Sequence, residues 1–346
     1  MKILHYSPAF PPSVGGLENT VVNVAAGLVA LGAEVTVVTT TPSAGPDRYP
    51  FRVVRRPGHR ELLRLVWAHD LYFQANVSLR GLWPLLIVRR PWVVSHHSWY
   101  RRADGRIAWQ DRLKRRLLGH AASSIAVSRA MADDLHPTRS IVIANPYDEG
   151  IFRPHPDIPR TRDLVAVGRL VSDKGFDLLL EALAILQGQG LSPSLTLIGD
   201  GPERRNLAAR LTALGLDRQV EMTGALPPER VARRLAEHRF LVAPSRYHEP
   251  FGLVALEGIA CGCAVIGSAG GGLPEAIGPC GLTFPNGDAS ALADVLTRVL
   301  SGAGARERLL ERSAEHLSEH TIGRVARHYL SELERVVAVT SGGGTP

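Results

Sequence analysis

The chain opens on a short alternation of apolar and polar positions, KILHYS (Lys2–Ser7), which predicts a strand ending in the Pro/Gly loop Pro8–Gly16. The period then changes: ENTVVNVAAGLVAL (Glu18–Leu31) repeats at helical spacing, and Gly32 stops it. EVTVVTT (Glu34–Thr40) returns to alternation. Strand, helix and strand this close together make a βαβ unit and hence a parallel sheet. Further strands are predicted at Phe51–Arg55, His69–Gln74, Trp92–His96, Ser123–Val127 and Ser140–Ala144. Asn145–His155, with Pro156 and Pro159 behind it, reads as an interdomain linker. A second alternation starts at Asp163, with strands at Leu164–Val167, Ser194–Ile198, Val220–Thr223, Phe240–Ser245, Ala264–Gly267 and Gly281–Phe284. A helix starts at Phe176, and others are expected near Ala289–Leu300, Arg306–His316 and Ile322–Val337. The pattern predicts an α/β fold of two Rossmann-like parallel-sheet domains, over residues 1–155 and 156–320. A last helix over 321–338 and a disordered tail over 339–346 complete the expectation. There is no short-period repeat.

Composition agrees with two soluble domains: 346 residues, 45% apolar and 21% charged. No apolar run approaches the roughly 20 residues that span a bilayer. MKILHYSPAF reads as a strand rather than a signal peptide, its apolar stretch being too short. The cysteines, Cys261, Cys263 and Cys280, form no paired framework, which points to a reducing cytoplasm. Buried thiols are expected rather than a metal site, because no second Cys/His pair stands at zinc spacing.

Charge changes the picture of the first half. Residues 1–160 carry 21 Lys and Arg against 12 Asp and Glu; the remainder carries 19 against 21. A basic first half points to an anionic surface or substrate, or to nothing more than solvated arginines. Nucleic acid lacks support, since no recognition motif accompanies the charge. Within this half, Trp109, Leu113 and Leu117 recur at helical spacing among Arg112, Lys114, Arg115 and Arg116. Two readings follow: a basic amphipathic helix touching anionic lipid headgroups at the inner membrane face, or ordinary packing of the apolar stripe on the sheet. The second is the plainer.

Candidate chemistry concentrates in HEPFGLVALE (His248–Glu257). A strand ending in Pro-Ser precedes it, and Pro250, Phe251 and Gly252 turn the chain into a helix. Glu249 stands on the loop and Glu257 about two turns into the helix, beside backbone N–H groups suited to an anion. Carboxylates there suit hydroxyl groups, so a ligand with both phosphate and polyol would use both features. Arg169 and Lys174 follow the Leu164–Val167 strand and make a good diphosphate clamp. Gly168 lies beside them. The bare backbone at Gly224 can meet the edge of a flat base. In the first half, Gly15, Gly16 and Glu18 follow the first strand, and His96 and His97 close another, on the rim where parallel sheets bind ligands. Glu18 also has a plain role, complementing the helix dipole. The dinucleotide fingerprint G-x-G-x-x-G is missing from the first βαβ unit, which disfavours a nicotinamide oxidoreductase.

Taken in order, VGGLE, VGRLVSDKG, LIGDGPE, TGALP and HEPFGLVALEGIACG resemble glycosyltransferase family 4. The resemblance runs from about Met1 to Val337 and is most specific where Glu249 and Glu257 match the family's E-x7-E motif. It implies the GT-B fold, two Rossmann-like domains facing across a cleft, with the C-terminal helices packing back on the first. It also implies a retaining transfer of a hexose-type sugar from a UDP- or GDP-type donor to a sugar, lipid-linked or other hydroxyl acceptor, in polysaccharide, glycolipid or glycoconjugate synthesis. Arg169 and Lys174 would hold the diphosphate, Glu249 and the backbone of Phe251, Gly252 and Leu253 the sugar, and Glu257 the ribose. Gly16 would border donor and acceptor, and His96 would sit beside the reacting sugar, with His97 a competing placement. No D-x-D signature closes a strand, so neither metal nor other cofactor is expected. The implied place is the cytoplasm, peripheral at the membrane at most. The rival readings are a sugar-nucleotide 2-epimerase of the same architecture and a non-catalytic nucleotide-sugar-binding subunit. Residues 51–92 show little that matches the family, which leaves the acceptor open.

Overall fold

A computed structural model describes every residue except 14, 44, 102–104 and 343–346, and for 341 and 342 the backbone alone. Two compact units divide the chain. The first is Met1–Pro146 with the C-terminal stretch from His320; the second is Tyr147–Glu319.

The first unit holds seven strands: β1 (Lys2–Ser7), β2 (Glu34–Thr39), β3 (Arg52–Arg55), β4 (Leu71–Ala75), β5 (Trp92–His96), β6 (Ser123–Ala126) and β7 (Ile141–Val142). They are parallel, in the order β3-β2-β1-β4-β5-β6-β7. Helices cover both faces, so β1 buries every residue after Lys2 and β5 buries all five of its own. One face packs Ile3, Val37, Phe73 and Val93 beneath the helix Gly16–Ala30; the other packs Leu4, Val38, Tyr72 and Val94.

The helix Ile322–Gly342 belongs to this unit and lies on Gly16–Ala30. Gly27 permits the approach: a Cβ there would come within 2.6 Å of the Ala326 Cβ. Tyr329, Leu333 and Val336 enter the core, and the Ser123 hydroxyl donates to Glu332 at 2.5 Å. Ala338–Gly342 are helical, which corrects the expected tail over 339–342. The rest of that tail lies outside the described residues.

The second unit holds β8 (Arg162–Val167), β9 (Leu195–Ile198), β10 (Val220–Gly224), β11 (His238–Ala243), β12 (Ala264–Ser268) and β13 (Gly281–Phe284). They too are parallel, in the order β10-β9-β8-β11-β12-β13. The helix Phe176–Gly188 buries seven side chains against this sheet. Much of the stretch read as a linker is packed structure: Tyr147 and Phe152 are buried, and Asp148 accepts from the amides of Gly150 and Ile151.

Two elements come out shorter than their patterns. The predicted strand over Ser140–Ala144 reduces to Ile141–Val142, a sheet edge whose two side chains are exposed. The expected helix over Arg306–His316 divides into Ala305–Leu310 and Ser313–Ser318.

Candidate active site

In each sheet the connections change face at one point, between β1 and β4 and between β8 and β11. Crevices at the carboxyl ends of parallel strands open at such points. Arg169 and Lys174 follow β8 and Glu249 follows β11, so the second unit brings them to one switch point.

Backbone contacts hold the two loops together. Lys174 ends the turn Ser172–Lys174, and Gly175 follows with φ +66°. A Cβ on Gly175 would stand 2.1 Å from the Pro244 carbonyl oxygen, so only glycine lets the turn meet the β11 loop. The amides of Arg246 and Tyr247 donate to the Asp173 carbonyl at 2.9 and 3.2 Å, and the Arg246 guanidinium to Asp177 at 2.7 Å. Held this way, Lys174 Nζ donates to Glu249 Oε1 at 2.6 Å, and Ser245 Oγ donates to the same oxygen at 2.6 Å. The Glu249 side chain is 13% exposed and the Lys174 side chain 34%, so water reaches the cation more than the acid. Arg169 is exposed, and its guanidinium has no partner among the described residues. The rim therefore offers one free cation and one that a stronger anion can draw from its carboxylate.

Two residues missed in the sequence complete this loop. Ser245 shares the Glu249 oxygen, and Asn286 ties the loop to its neighbour, donating to the Ser245 carbonyl at 3.0 Å and accepting from the Gly270 amide at 2.7 Å. Ser245 ends a quoted strand pattern and had a signal; Asn286, in a plain PNGD turn, had none.

Gly252 opens the helix Leu253–Ala260 at φ +107°, with no side-chain cap, so its first amides remain available to an acceptor. A Cβ at Gly252 would stand 2.5 Å from Leu273 Cδ1. Phe251 is a core residue, 2% exposed, so only its backbone can face a ligand. Glu257 is the fifth residue of the helix, one turn in rather than two. Burial first, then the charge of Asp148, push its carboxyl up to about 7. At Gly224 the carbonyl already accepts from the Gly199 amide at 2.9 Å, so less bare backbone remains there than expected. Gly168, at φ +156°, donates its amide to the Ile198 carbonyl at 3.0 Å.

The first unit treats its polar groups differently. Gly15 precedes the helix that Gly16 begins, and Glu18 folds back on it: a Cβ at Gly15 would meet Glu18 Oε2 at 2.5 Å. His96 is fully buried, with Nδ1 2.8 Å from the Tyr100 hydroxyl and Nε2 2.9 Å from the Ser124 hydroxyl. Burial, with His97 and Arg115 adding repulsion, lowers its pKa to about 3. The expectation of His96 at a ligand is corrected: it is a neutral core histidine with both nitrogens occupied. His97, one residue past the end of β5, turns instead toward Ser95 and is half-buried with Nε2 2.8 Å from Ser95 Oγ. Burial lowers it to about 4, with Asn145 opposing. Of the two histidines, His97 is the one with exposed surface.

The basic helix also departs from expectation. Trp109–Leu117 buries none of its residues; Trp109 is 70% exposed, and the helix is tied down instead by Arg115, which donates to the Asp134 carbonyl at 2.6 Å and to its carboxylate. The plainer reading, an apolar stripe packed on the sheet, is therefore corrected for Trp109. The cysteines are free and buried, and burial pushes the thiols of Cys263 and Cys280 up to about 11. Among the described residues no group of three or more His, Cys, Asp or Glu gathers as a metal site.

Two family models divide the chain between them: Glycosyltransferase Family 4 over residues 14–149 and Glycosyl transferases group 1 over residues 149–316. A D-inositol 3-phosphate glycosyltransferase of Frankia alni is 31% identical, across 88% of this chain and 91% of the relative. The chain is a family 4 glycosyltransferase. Its fold is that of GT-B enzymes. Sucrose-phosphate synthase from Thermosynechococcus elongatus superposes with a TM-score of 0.82 at 23% identity, over 98% of this chain and 100% of that one. Anabaena HepE, solved with UDP-glucose, superposes at 0.81 and 20% identity, over 97% and 100%. As in the family pattern, the glycosyltransferase motif E-x7-E spans the loop and first helical turn after β11.

Proposed function

We propose that this glycosyltransferase moves a hexose-type sugar from a nucleoside-diphosphate sugar, of UDP or GDP type, to a hydroxyl acceptor with retention. The observation that carries the reading is the meeting of Lys174 and Glu249 at 2.6 Å on the switch point of the second sheet, with the exposed Arg169 on the same β8 loop as Lys174. Anabaena HepE binding UDP-glucose and the Frankia relative acting on inositol 3-phosphate support the substrate classes.

Arg169 and Lys174 take the diphosphate, Glu249 and the amides of Gly252 and Leu253 the sugar, and Glu257 the ribose hydroxyls. As the C1–O bond to the diphosphate lengthens, negative charge grows on the departing phosphate. Both cations and the open helix entrance then bind more strongly, which is the differential that lowers a barrier. The acceptor oxygen forms its bond to C1 on the face the phosphate leaves, and the leaving phosphate oxygen takes the acceptor proton. On the acceptor side, Gly15, Gly16 and the exposed edge of His97 are the candidates.

We assign charge neutralisation to the two cations rather than to a metal, so activity should survive EDTA. Loss on chelation restored by Mg²⁺ or Mn²⁺ rejects that part. The reaction is tested by incubating the protein with an α-linked donor and a hydroxyl acceptor and reading the anomeric configuration by NMR. An α-linked product is expected. An inverted product overturns retention, and an epimerised donor without transfer overturns the reaction.

A further inference from the structure

The first unit has a second rim, at the amino ends of its strands. A cavity of about 960 Å³ lies there, with Asp70, Pro91 and Ala122, the residues preceding β4, β5 and β6, in its wall. The five residues of β5, at about 3.3 Å each, put roughly 16 Å of sheet between this rim and His97. The cavity is therefore separate from the strand ends that carry the candidate acceptor side.

Its walls are mainly apolar, with Leu82, Leu85, Leu86, Trp92, Leu117 and Val337 among them. Leu86 is 87% exposed and Ile87, next to it, 65%. Trp67, 70% exposed, is joined to the wall through its carbonyl, which accepts from Arg90 at 2.6 Å. Large apolar side chains gathered at an open cavity mark a surface that something covers.

The cations decide what covers it. Arg90 is spent on structure, donating to the carbonyls of His69, Trp67 and Arg89. Arg89, also in the wall, is exposed and its guanidinium has no partner among the described residues. Arg116, which precedes the wall residue Leu117, is likewise exposed and unpaired, and His120 is exposed in the wall. Asp70, an acid in the wall, already accepts from the Lys2 amide at 2.7 Å. A mainly apolar hollow with the uncommitted Arg89 in its wall complements an amphiphile with an anionic head.

We propose that this cavity takes an acyl chain of an anionic bilayer lipid, with the headgroup phosphate on Arg89 and with Leu86 and Ile87 entering the acyl boundary. It moors the enzyme by a site other than the one that transfers sugar, and it does not depend on the donor reading. Trp109–Leu117 contributes Leu117 to the wall, but its exposed Trp109 is not the anchor.

Co-sedimentation of the full chain with vesicles of phosphatidylcholine and phosphatidylglycerol in equal parts tests this. Strong binding is expected, and little to phosphatidylcholine alone. The double variant Leu86→Asp/Ile87→Asp, exposed and safe for folding, should lose at least about tenfold in partition, and Arg89→Glu about fivefold or more. Monomeric lysophosphatidylglycerol should raise the thermal midpoint of the wild type but not of Leu85→Trp, which fills the cavity; glycerol phosphate alone should not raise it. Undiminished binding by the double variant, a loss seen with Trp109→Asp instead, or a midpoint shift from the headgroup alone overturns the inference. UDP and GDP in the same thermal assay read the donor site separately. A chain that binds vesicles and no nucleotide keeps this inference and loses the proposed donor.

Discussion

The six strands of the second sheet repeat the order of the first six in the seven-stranded sheet, yet the two carboxyl rims handle polar side chains in opposite ways. At the β8–β11 rim, Lys174 and Glu249 are bonded to each other and half-sheltered, and Arg169 is exposed with no side-chain partner among the described residues. At the β5 rim, His96 is sealed between Tyr100 and Ser124, and of the two histidines His97 keeps exposed surface. The difference teaches that a strand end alone does not make a ligand site. A rim that holds a charged ligand keeps charge the ligand can recruit; a strand-end side chain with both its polar atoms occupied, as in His96, is structural.

The comparison breaks first at Lys174. Lys174→Ala should cost about 10²–10³ in turnover, the scale for one lost charge-stabilising donor. Lys114→Ala, which removes a pair with Asp111 on the basic helix, should stay near wild type, since such a pair is worth below about 1 kcal/mol. Equal rates for the two variants in a donor-consumption assay reject the clamp.

His96 supplies the opposite case. His96→Ala removes one hydrogen bond from each of the Tyr100 and Ser124 hydroxyls in a buried site and should cost about 1–3 kcal/mol in denaturant unfolding. Turnover per folded molecule should fall less than in His97→Ala. The reverse order would return the role to His96. The histidine also sets a pH trend. Its folded pKa, about 3, lies below the ordinary 6.5, so its contribution to stability is present above pH 6.5 and is lost as pH falls from there toward 3. His96→Phe should flatten that part of the midpoint-versus-pH curve.

Glu257 gives a smaller effect of the other sign. Its folded pKa is raised from 4.5 to about 7, so its contribution to stability is present below pH 4.5 and lost as pH rises through 7. Ribose hydroxyls donate to the ionised form, so nucleotide affinity should weaken as pH falls from 8 to 6. Calorimetry on Glu257→Gln should show that dependence gone. A slope unchanged in the variant means that another group titrates.

The fold was legible because both halves alternate strand and helix with few interruptions, and buried parallel strands read as unbroken apolar runs. The second rim was legible because its chemistry sits on two short segments, around Arg169–Lys174 and Glu249–Glu257, each close to a recognisable strand end. What failed was anything decided by one residue of register. His96 ends β5 and His97 lies one residue past it, and no local pattern settles which of the two is sealed before the sheet is built. Asn286 was invisible for another reason: its role depends on a loop 40 residues away in the chain. The exposed stripe of Trp109–Leu117 was misjudged because Arg115, read as one of a surface cluster, turns inward to Asp134.

The central claim is that the β8–β11 rim holds the diphosphate of a nucleotide sugar. Titration calorimetry of UDP and GDP into the wild type and into Arg169→Ala/Lys174→Ala tests it most directly. The account predicts saturable binding of one of the two nucleotides by the wild type, and at least a hundredfold weakening in a double variant that melts like the wild type, about 2.7 kcal/mol. Equal affinity in the two proteins, or no binding of either nucleotide by the wild type, would contradict it.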